Sequence, residues 1–587
     1  MPELVHTKEK TTSAFLAAAL GDAMGWPNEA PRKGDKQQPG TWGRMLGSRF
    51  APILEVVRNG EYSDDTQLIL AVTRSILAHG ADWPNHFCQV ELPAWRLYER
   101  GGGRATKAAA EMLSEGRIPW NPNNSPEVLK GYYEAGGNGA AMRILPHVVF
   151  RLTADHPEME LRRDVLSNSI TTHGHPRAIV GALTHAFSIA YAIKKTSTLE
   201  YGELVHDVVD TLEKFTFEEC APIFDGKWLT CSEQYYGGRQ RFSKIWNNTV
   251  REVAEMLEAT EEEMGRGPLA SEVEFLKRIG ALSRETNGAG TVCAVAALFL
   301  ASRYATDPMA GLQTTSQIRG LDSDTVASMC GSILAGINGS TWMGTELIGL
   351  QDSDYIRRIA SKLSTAAEST NVWVTKEIVG PAKAPSFSKR DLGELNPKSS
   401  ADIPLIGTVQ IEDTKVLHDR KRSVSVTVAI AKAFDGQTIF LYSSQKKLKP
   451  EQRPQEQQLE STAESSGPKT GVRFYTRDLR SIRAFYEGVL DWKPENVTLA
   501  SVVYPSNIVF ADPKDSGADL FISHSSGGQA LIMEVKDFET FKTRIASKDV
   551  GSRNDWFVRK SNRPMLVLHD PDGRRIEVFA AKASVSR

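Results

Sequence analysis

The sequence predicts a multidomain protein in which a large all-α domain is followed by a small α+β domain of paired βαβββ modules. Three observations carry this expectation. Apolar residues recur at spacings of three and four from residue 11 to about 370, a polar stretch follows residue 444, and one strand–helix–strand pattern occurs twice beyond residue 470. At 587 residues the chain also exceeds the size at which one hydrophobic core stops growing.

The helical part spans 1–370. "SDDTQLILAVTRSILAHG", "HPRAIVGALTHAFSIAYAI", "TVREVAEMLEATEEEM" and "DTVASMCGSILAGING" each repeat apolar residues on one helical face, with Gly, Pro and Asn between them. No alternating strand run is expected to interrupt them. Residues 371–444 read as a connecting region with a β-hairpin, because Val424, Val426, Val428 and Ile430 alternate with smaller residues and "DG" precedes "QTIFLYS". Residues 445–469 are rich in Gln, Glu, Lys, Ser and Pro and nearly free of large apolar side chains, the composition of a flexible linker. In 470–587, "GVRFYTRD", "LASVVYP", "NIVFADP" and "ADLFISH" read as strands with a helix at "LRSIRAFYEGVL". The order then returns with "QALIMEVKD", the helix "FETFKTRIAS", "RPMLVLHD" and "RRIEVFAA".

Bulk charge excludes some partners. Seventy basic against 72 acidic residues give a net charge of -2, so no whole-protein field draws in nucleic acid, and neither nucleic-acid nor membrane binding is expected. The five cysteines form no Cys-x-x-Cys pair, which argues against a structural zinc cluster or a disulfide framework. "AFLAAAL" runs directly into Asp22 and lacks the pattern of a secretion signal. The expected location is cytoplasmic, with the nucleus as the alternative, and not secreted.

Two acidic clusters stand at helix starts: Ser63, Asp64 and Asp65, then Asp322, Asp324 and Thr325. Asp, Ser and Thr are ordinary helix caps, and either cluster alone can be read so. Facing each other, they would offer about six hard oxygen donors, the number suited to Mg²⁺ sharing its shell with water. Glycine-rich "RGGGRAT" and "EAGGNGAAMRILP" permit close approach of backbone N–H groups to phosphate, or form plain turns.

Taken in order, "ALGDAMGWPNE", "SDDT", "RGGGRAT", "GGNGAAMR", "THGHP" and "LDSDT" resemble the ADP-ribosylglycohydrolase family over residues 11 to about 370. The resemblance implies an all-α fold with a binuclear centre of two Mg²⁺ (or Mn²⁺). It places Ser63, Asp64, Asp65, Asp322, Asp324 and Thr325 at the metals and Glu29 on a loop over the substrate. It sets Gly101, Gly103, Gly137, Asn138 and Gly139 along the diphosphate and distal ribose, with Met142, Arg143 and His173 on the substrate side. Asp65, Glu29 and Asp64 are the implied catalytic residues, with Asp65 or Glu29 for proton transfer. Ser63 stands where Thr is commoner but keeps the hydroxyl. Ala135 replaces a frequent serine, and Leu321 stands where a glycine is usual. "HGH" at 173–175 has no third ligand at zinc spacing, so a helix-start or cleft-wall histidine is the preferred reading.

The implied function is metal-dependent hydrolysis of the glycosidic bond between ADP-ribose and a modified protein side chain or related acceptor. The alternative is a catalytically weak ADP-ribose-binding reader or scaffold whose C-terminal domain recruits a partner or small molecule. "VRFYTRDLRSIRAFYEGVL" and "HDPDGRRIEVFA" resemble the glyoxalase, bleomycin-resistance and extradiol-dioxygenase superfamily over about 470–582. Metal-binding members carry His or Gln on a first strand, where Gly471 and Ala530 stand here. Glu577 alone is ligand-like, so this domain is expected to be non-catalytic.

Overall fold

The computed structural model describes residues 2–29, 40–48, 51–152, 157–367, 397–403, 405–418 and 424–446, and the backbone of short strands between 472 and 580. The chain forms two compact units, Met1–Leu448 and Lys449–Arg587.

The first unit is built on helices. Those that shape the site, in chain order, are α1 (Pro2–Glu29), α2 (Asp64–His79), α3 (Leu92–Tyr98), α4 (Arg104–Ser114), α5 (Pro176–Lys194), α6 (Gly290–Arg303), α7 (Ser323–Asn338) and α8 (Ser353–Ala367). α5, α6 and α7 are buried nearly all round, as their uninterrupted apolar and small residues require, and with α1 they form the centre of the core. No helix of the described residues is long and apolar enough to cross a membrane.

One feature departs from the expected uninterrupted helices. A hairpin of β1 (Thr41–Ser48) and β2 (Ala51–Arg58) follows α1, with Trp42 opposite Val57 and Met45 opposite Leu54. Ile53 and Val57 point inward and Leu54 and Val56 outward, the alternation of a half-buried ribbon. Trp42 packs edge-on against Trp26 of α1 with ring centroids 5.0 Å apart.

The expected hairpin near 424–446 belongs to a larger sheet. Strands β3 (Ser400–Ile403), β4 (Gly407–His418), β5 (Val424–Ala433) and β6 (Thr438–Lys446) form an antiparallel meander in that order. Its inward face, including Val409, Ile411, Ala431 and Leu441, joins the main core. Buried polar bonds fasten it: Asp352 accepts from Thr438 N at 2.7 Å and Lys432 Nζ at 2.9 Å, and Tyr442 donates to Glu55 at 2.9 Å. Most of the segment read as a linker, from residue 447 on, lies outside the described residues.

In the second unit, β7 (Val472–Tyr475), β8 (Asn496–Val497), β9 (Ser501–Tyr504) and β10 (Ile508–Ala511) lie in the order β7-β10-β9-β8. The strands β11 (Leu531–Val535), β12 (Asp555–Val558), β13 (Pro564–His569) and β14 (Arg575–Ala580) repeat that order as β11-β14-β13-β12. In both sheets the first strand pairs parallel with the last and the others pair antiparallel, the topology of a βαβββ module. Glu577 lies on β14 opposite Ile532. Both expected helices, the expected strand "ADLFISH" and Gly471 and Ala530 lie outside the described residues.

Candidate metal centre

The site is built where α1 and α7 pack in unusually close contact. A Cβ placed on Gly21 would lie 2.2 Å from Ala327 O, one on Gly25 2.2 Å from Ser323 O, and one on Gly331 2.4 Å from Ala17 O. Only residues without a side chain fit these positions, so the two backbones run antiparallel at their closest approach. The end of α1 therefore meets the start of α7, and Asp22 and Glu29 meet Asp324 and Asp322.

α2 enters the same place, and its start is capped from outside. Asp22 accepts Ser63 N at 2.9 and 3.1 Å, Thr66 N at 3.0 Å and Thr66 Oγ1 at 2.6 Å. Ser63 Oγ accepts Asp65 N at 3.3 Å. The N–H groups of Ser63, Asp65 and Thr66 are thus satisfied without the carboxylate of Asp65, while Asp64 takes its own N–H. Asp322, at the cap position of α7, likewise makes no side-chain cap bond and instead accepts Asn138 Nδ2 at 2.9 Å. Asp324 Oδ1 accepts Thr325 N at 2.6 Å, so of these acids Asp65 and Asp322 are the ones that take no helix-start N–H.

The two helix starts meet directly. Thr325 Oγ1 donates to Asp65 Oδ2 at 3.3 Å, joining positions 260 residues apart. One oxygen each from Asp22, Asp65 and Asp324 lie within 4.8 Å of one another, and the same holds for Glu29, Asp322 and Asp324. Asp324 is common to both groups. Asp64 is outside them and faces Gly101, where a Cβ would come 3.1 Å from its Oδ1. Asp65 Oδ1 is buried with no hydrogen-bond partner among the described residues. Ser63 Oγ also donates to Asp65 Oδ2 at 3.3 Å.

So many buried carboxylates cannot all ionise cheaply. Burial, then the charges of Asp22 and Glu99, pushes the Asp64 carboxyl up to about 8. Burial followed by Asp324 and Asp22 holds Asp65 well above the carboxylate range, and burial followed by Asp322 does so for Asp324. Asp22 is raised by burial against the lowering effect of its hydrogen bonds. Glu29 is exposed as a residue, yet desolvation of its carboxyl end and then the adjoining Asp324 raise it strongly. A hard cation is the group that such an arrangement of oxygens would favour, and the unbonded Asp65 Oδ1 fits that donor set.

Glycine loops wall the cluster. Gly101, with φ +100, follows Arg100, whose buried guanidinium pairs with Glu61 at 2.7 Å and Glu55 at 3.3 Å and lies 3.8 Å from the Phe440 ring centroid. Gly103 precedes α4 with no side-chain cap and open space above it. Gly137 bridges to Ala289, and Asn138 N donates to Gly288 O at 3.0 Å. Asn138 thereby ties its loop both to 288 and to Asp322. His173 lies beneath Gly139, where a Cβ would come 3.0 Å from its ring, and burial followed by Arg143 holds it near pKa 3, hence neutral. His175 caps α5 by accepting Arg177 N at 3.1 Å.

Two expected substrate contacts sit behind this wall. Arg143 is fully buried and donates to Gly139 O at 2.9 Å, Asn168 Oδ1 at 2.8 Å and Thr172 Oγ1 at 2.8 Å. It holds the Gly139 loop and the 172–173 turn in place and does not present its charge to the cleft. Met142 is buried in the hydrophobic core.

Three participants were not singled out from the sequence. One is Asp22 of α1. Another is the "NGAG" segment at 287–290, where a Cβ on Gly288 would lie 3.2 Å from Asp322 Oδ2. Cys293 is buried beside it, accepts Asn138 Nδ2 at 3.3 Å and donates to Asn287 O at 3.0 Å.

Comparisons with known proteins agree on the first unit. A family model described as ADP-ribosylglycohydrolase matches residues 4–372. A curated relative, ADP-ribosyl-[dinitrogen reductase] glycohydrolase of Rhodospirillum rubrum, is 30% identical over 208 residues, spanning 34% of this chain and 64% of that protein. A solved ADP-ribosylglycohydrolase-related protein complex is 19% identical, with a TM-score of 0.39 over 62% of this chain and 99% of that one. For the C-terminal region, a solved lactoylglutathione lyase from Agrobacterium tumefaciens is 18% identical, with a TM-score of 0.17 over 21% of this chain and 100% of that one. Through residues 4–372, this chain belongs to the ADP-ribosylglycohydrolase family, a family of hydrolases.

Proposed function

We propose that the chain is a metal-dependent hydrolase that cleaves the bond between ADP-ribose and a modified protein side chain or related acceptor, reversing ADP-ribosylation. The observation that carries this reading is the meeting of Asp65 and Asp324 from distant helix starts, with Asp65 Oδ1 buried and unbonded. Family membership and the name of the Rhodospirillum rubrum relative support the choice of substrate class.

Asp64, Asp65, Asp322 and Asp324 would hold two Mg²⁺ (or Mn²⁺), with the hydroxyls of Ser63 and Thr325 beside them. Bound ions of this kind supply Lewis acidity toward ribose hydroxyls and water. The chain's own residues supply the rest. Backbone N–H groups at Gly101, Gly103 and the start of α4 form a cradle suited to diphosphate, since a helix start favours negative charge. Gly137 and Gly139, buttressed by Arg143 and by neutral His173, keep the opposite wall close to the sugar. The remaining carboxylates place negative charge near an anomeric carbon that becomes cation-like as its bond breaks.

Glu29 and Asp65 are the candidates for proton transfer. Both carboxyls are raised by desolvation and by the charge of Asp324, so either can hold a proton within the cluster. The test is release of labelled ADP-ribose from arginine- and serine-modified peptides with and without Mg²⁺. Mg²⁺-dependent release is expected. Binding of ADP-ribose without release from either peptide would favour a reader or scaffold instead.

A further inference from the structure

A second cavity lies where the sheet of β3–β6 meets α2, α3 and α8, and no member of the acidic cluster lines it. Its volume is about 640 Å³, within the ~300–1,000 Å³ span of small-ligand sites. Leu77, Val90, Ile359, Ile406 and Ile439 make its walls apolar.

Its charged groups divide into spent and unspent ones. Arg74 is spent: it pairs with Glu91 through Nε at 3.0 Å and Nη2 at 2.8 Å, and donates to Gln437 at 2.6 Å and Tyr98 at 3.0 Å. The Asp435 carboxylate accepts Tyr355 Oη at 2.5 Å and Gln437 N at 3.1 Å. Arg358 and Lys362, one turn apart on α8, have no carboxylate partner within 4.0 Å among the described residues. The Arg358 guanidinium donates to Asp435 O at 2.8 Å and lies 5.5 Å from the Tyr355 ring centroid. With Arg74 and Glu91 cancelling and His86 made neutral by burial, the lining carries one excess positive charge.

The mouth carries two further signs of a binding site. Phe434 is 84% exposed there, a large ring left in water beside an apolar hollow. Leu405, on the same rim, has φ +67, a left-handed conformation costing ~1–2 kcal/mol in a residue with a branched side chain, and such strain gathers at ligand clamps.

We propose that this cavity binds a small acidic amphiphile, an aromatic or alkyl body bearing one carboxylate, sulfonate or phosphate. The apolar body fills the walls and is covered by Phe434, while the anion sits between Arg358 and Lys362.

The test titrates the full chain with 8-anilinonaphthalene-1-sulfonate, followed by fluorescence, with decanoate and neutral decanol as competitors. Three variants accompany it: R358E/K362E, the conservative R358K/K362R, and A78W, which plugs the mouth at an exposed lining position. Expected are saturable binding, displacement by decanoate at least tenfold more effective than by decanol, and at least tenfold weaker binding in both R358E/K362E and A78W. R358K/K362R should bind as the native chain does. Equal displacement by decanol, or undiminished probe binding in A78W, overturns the proposal by placing the probe elsewhere.

Discussion

Asp22 of α1 caps the helix that carries Asp64 and Asp65, receiving both Thr66 N at 3.0 Å and Thr66 Oγ1 at 2.6 Å. The cap comes from a residue over forty positions away, so α1 sets where the first turn of α2 lies. That leaves the Asp65 carboxylate free of helix-start N–H groups. Asp22→Ala orphans the buried N–H groups of Ser63 and Thr66 and should lower stability by about 2–4 kcal/mol in urea unfolding. Asp22→Asn keeps an accepting oxygen and should lose less than about half of that. Equal losses in both variants would show that the cap contributes little.

The close approach of α1 and α7 makes a second prediction. Gly25→Ala introduces a Cβ 2.2 Å from Ser323 O, on backbone that cannot swing aside. Separating the helices should cost about 1–3 kcal/mol and weaken Mn²⁺ binding, read by titration calorimetry, by at least about tenfold. A variant that binds Mn²⁺ normally would break the link between this seam and the acids.

Much of this was legible in the sequence, and the parts that were not share a cause. The acid pairs at 64–65 and 322–324 stand at helix starts with Gly or Pro nearby, so their local context announces them. Asp22 and Gly288 acquire meaning only through partners more than thirty residues away, which no local pattern records. The β1–β2 hairpin was missed because Gly43, Gly47 and the Arg44 and Glu55 charges break up its alternation. The resemblance set Arg143 on the substrate side; in the fold it is fully buried and its bonds run to Gly139, Asn168 and Thr172, partners that no local pattern records.

Metal-free stability should fall as pH rises. The folded carboxyls of Asp64, Asp65, Asp324 and Glu29 lie above their ordinary values, so the native state binds more protons than the unfolded chain. Their favourable contribution is complete below the ordinary carboxylate range and is lost as pH climbs from near 3.8 toward about 8 for Asp64. Mg²⁺ replaces those protons. The rise in Tm on adding Mg²⁺ should therefore be larger at about pH 8 than at about pH 5.5. The opposite order would contradict the buried-acid account.

Asp65→Asn separates function from folding. Replacing a buried carboxyl that must take up a proton on folding should raise Tm in chelator at neutral pH, while hydrolysis falls by about 10²-fold or more. Asp64→Ala with Asp65→Ala should abolish release without unfolding the chain. A stable double variant with full activity would remove these residues from the mechanism.

His173 should stay neutral throughout the working range, because burial and Arg143 hold it near pKa 3. Its ring proton shifts, followed by NMR, should be flat between about pH 5 and 8. A titration step inside that window would assign it a protonic role that the packing beneath Gly139 does not provide.

The most direct measurement is anomalous diffraction from crystals grown with Mn²⁺. Two peaks among Asp64, Asp65, Asp322 and Asp324, with Asp65 Oδ1 in contact with one of them, are expected. Crystals that show no peak within reach of these carboxylates at saturating Mn²⁺ would contradict the metal centre and the hydrolytic mechanism built upon it.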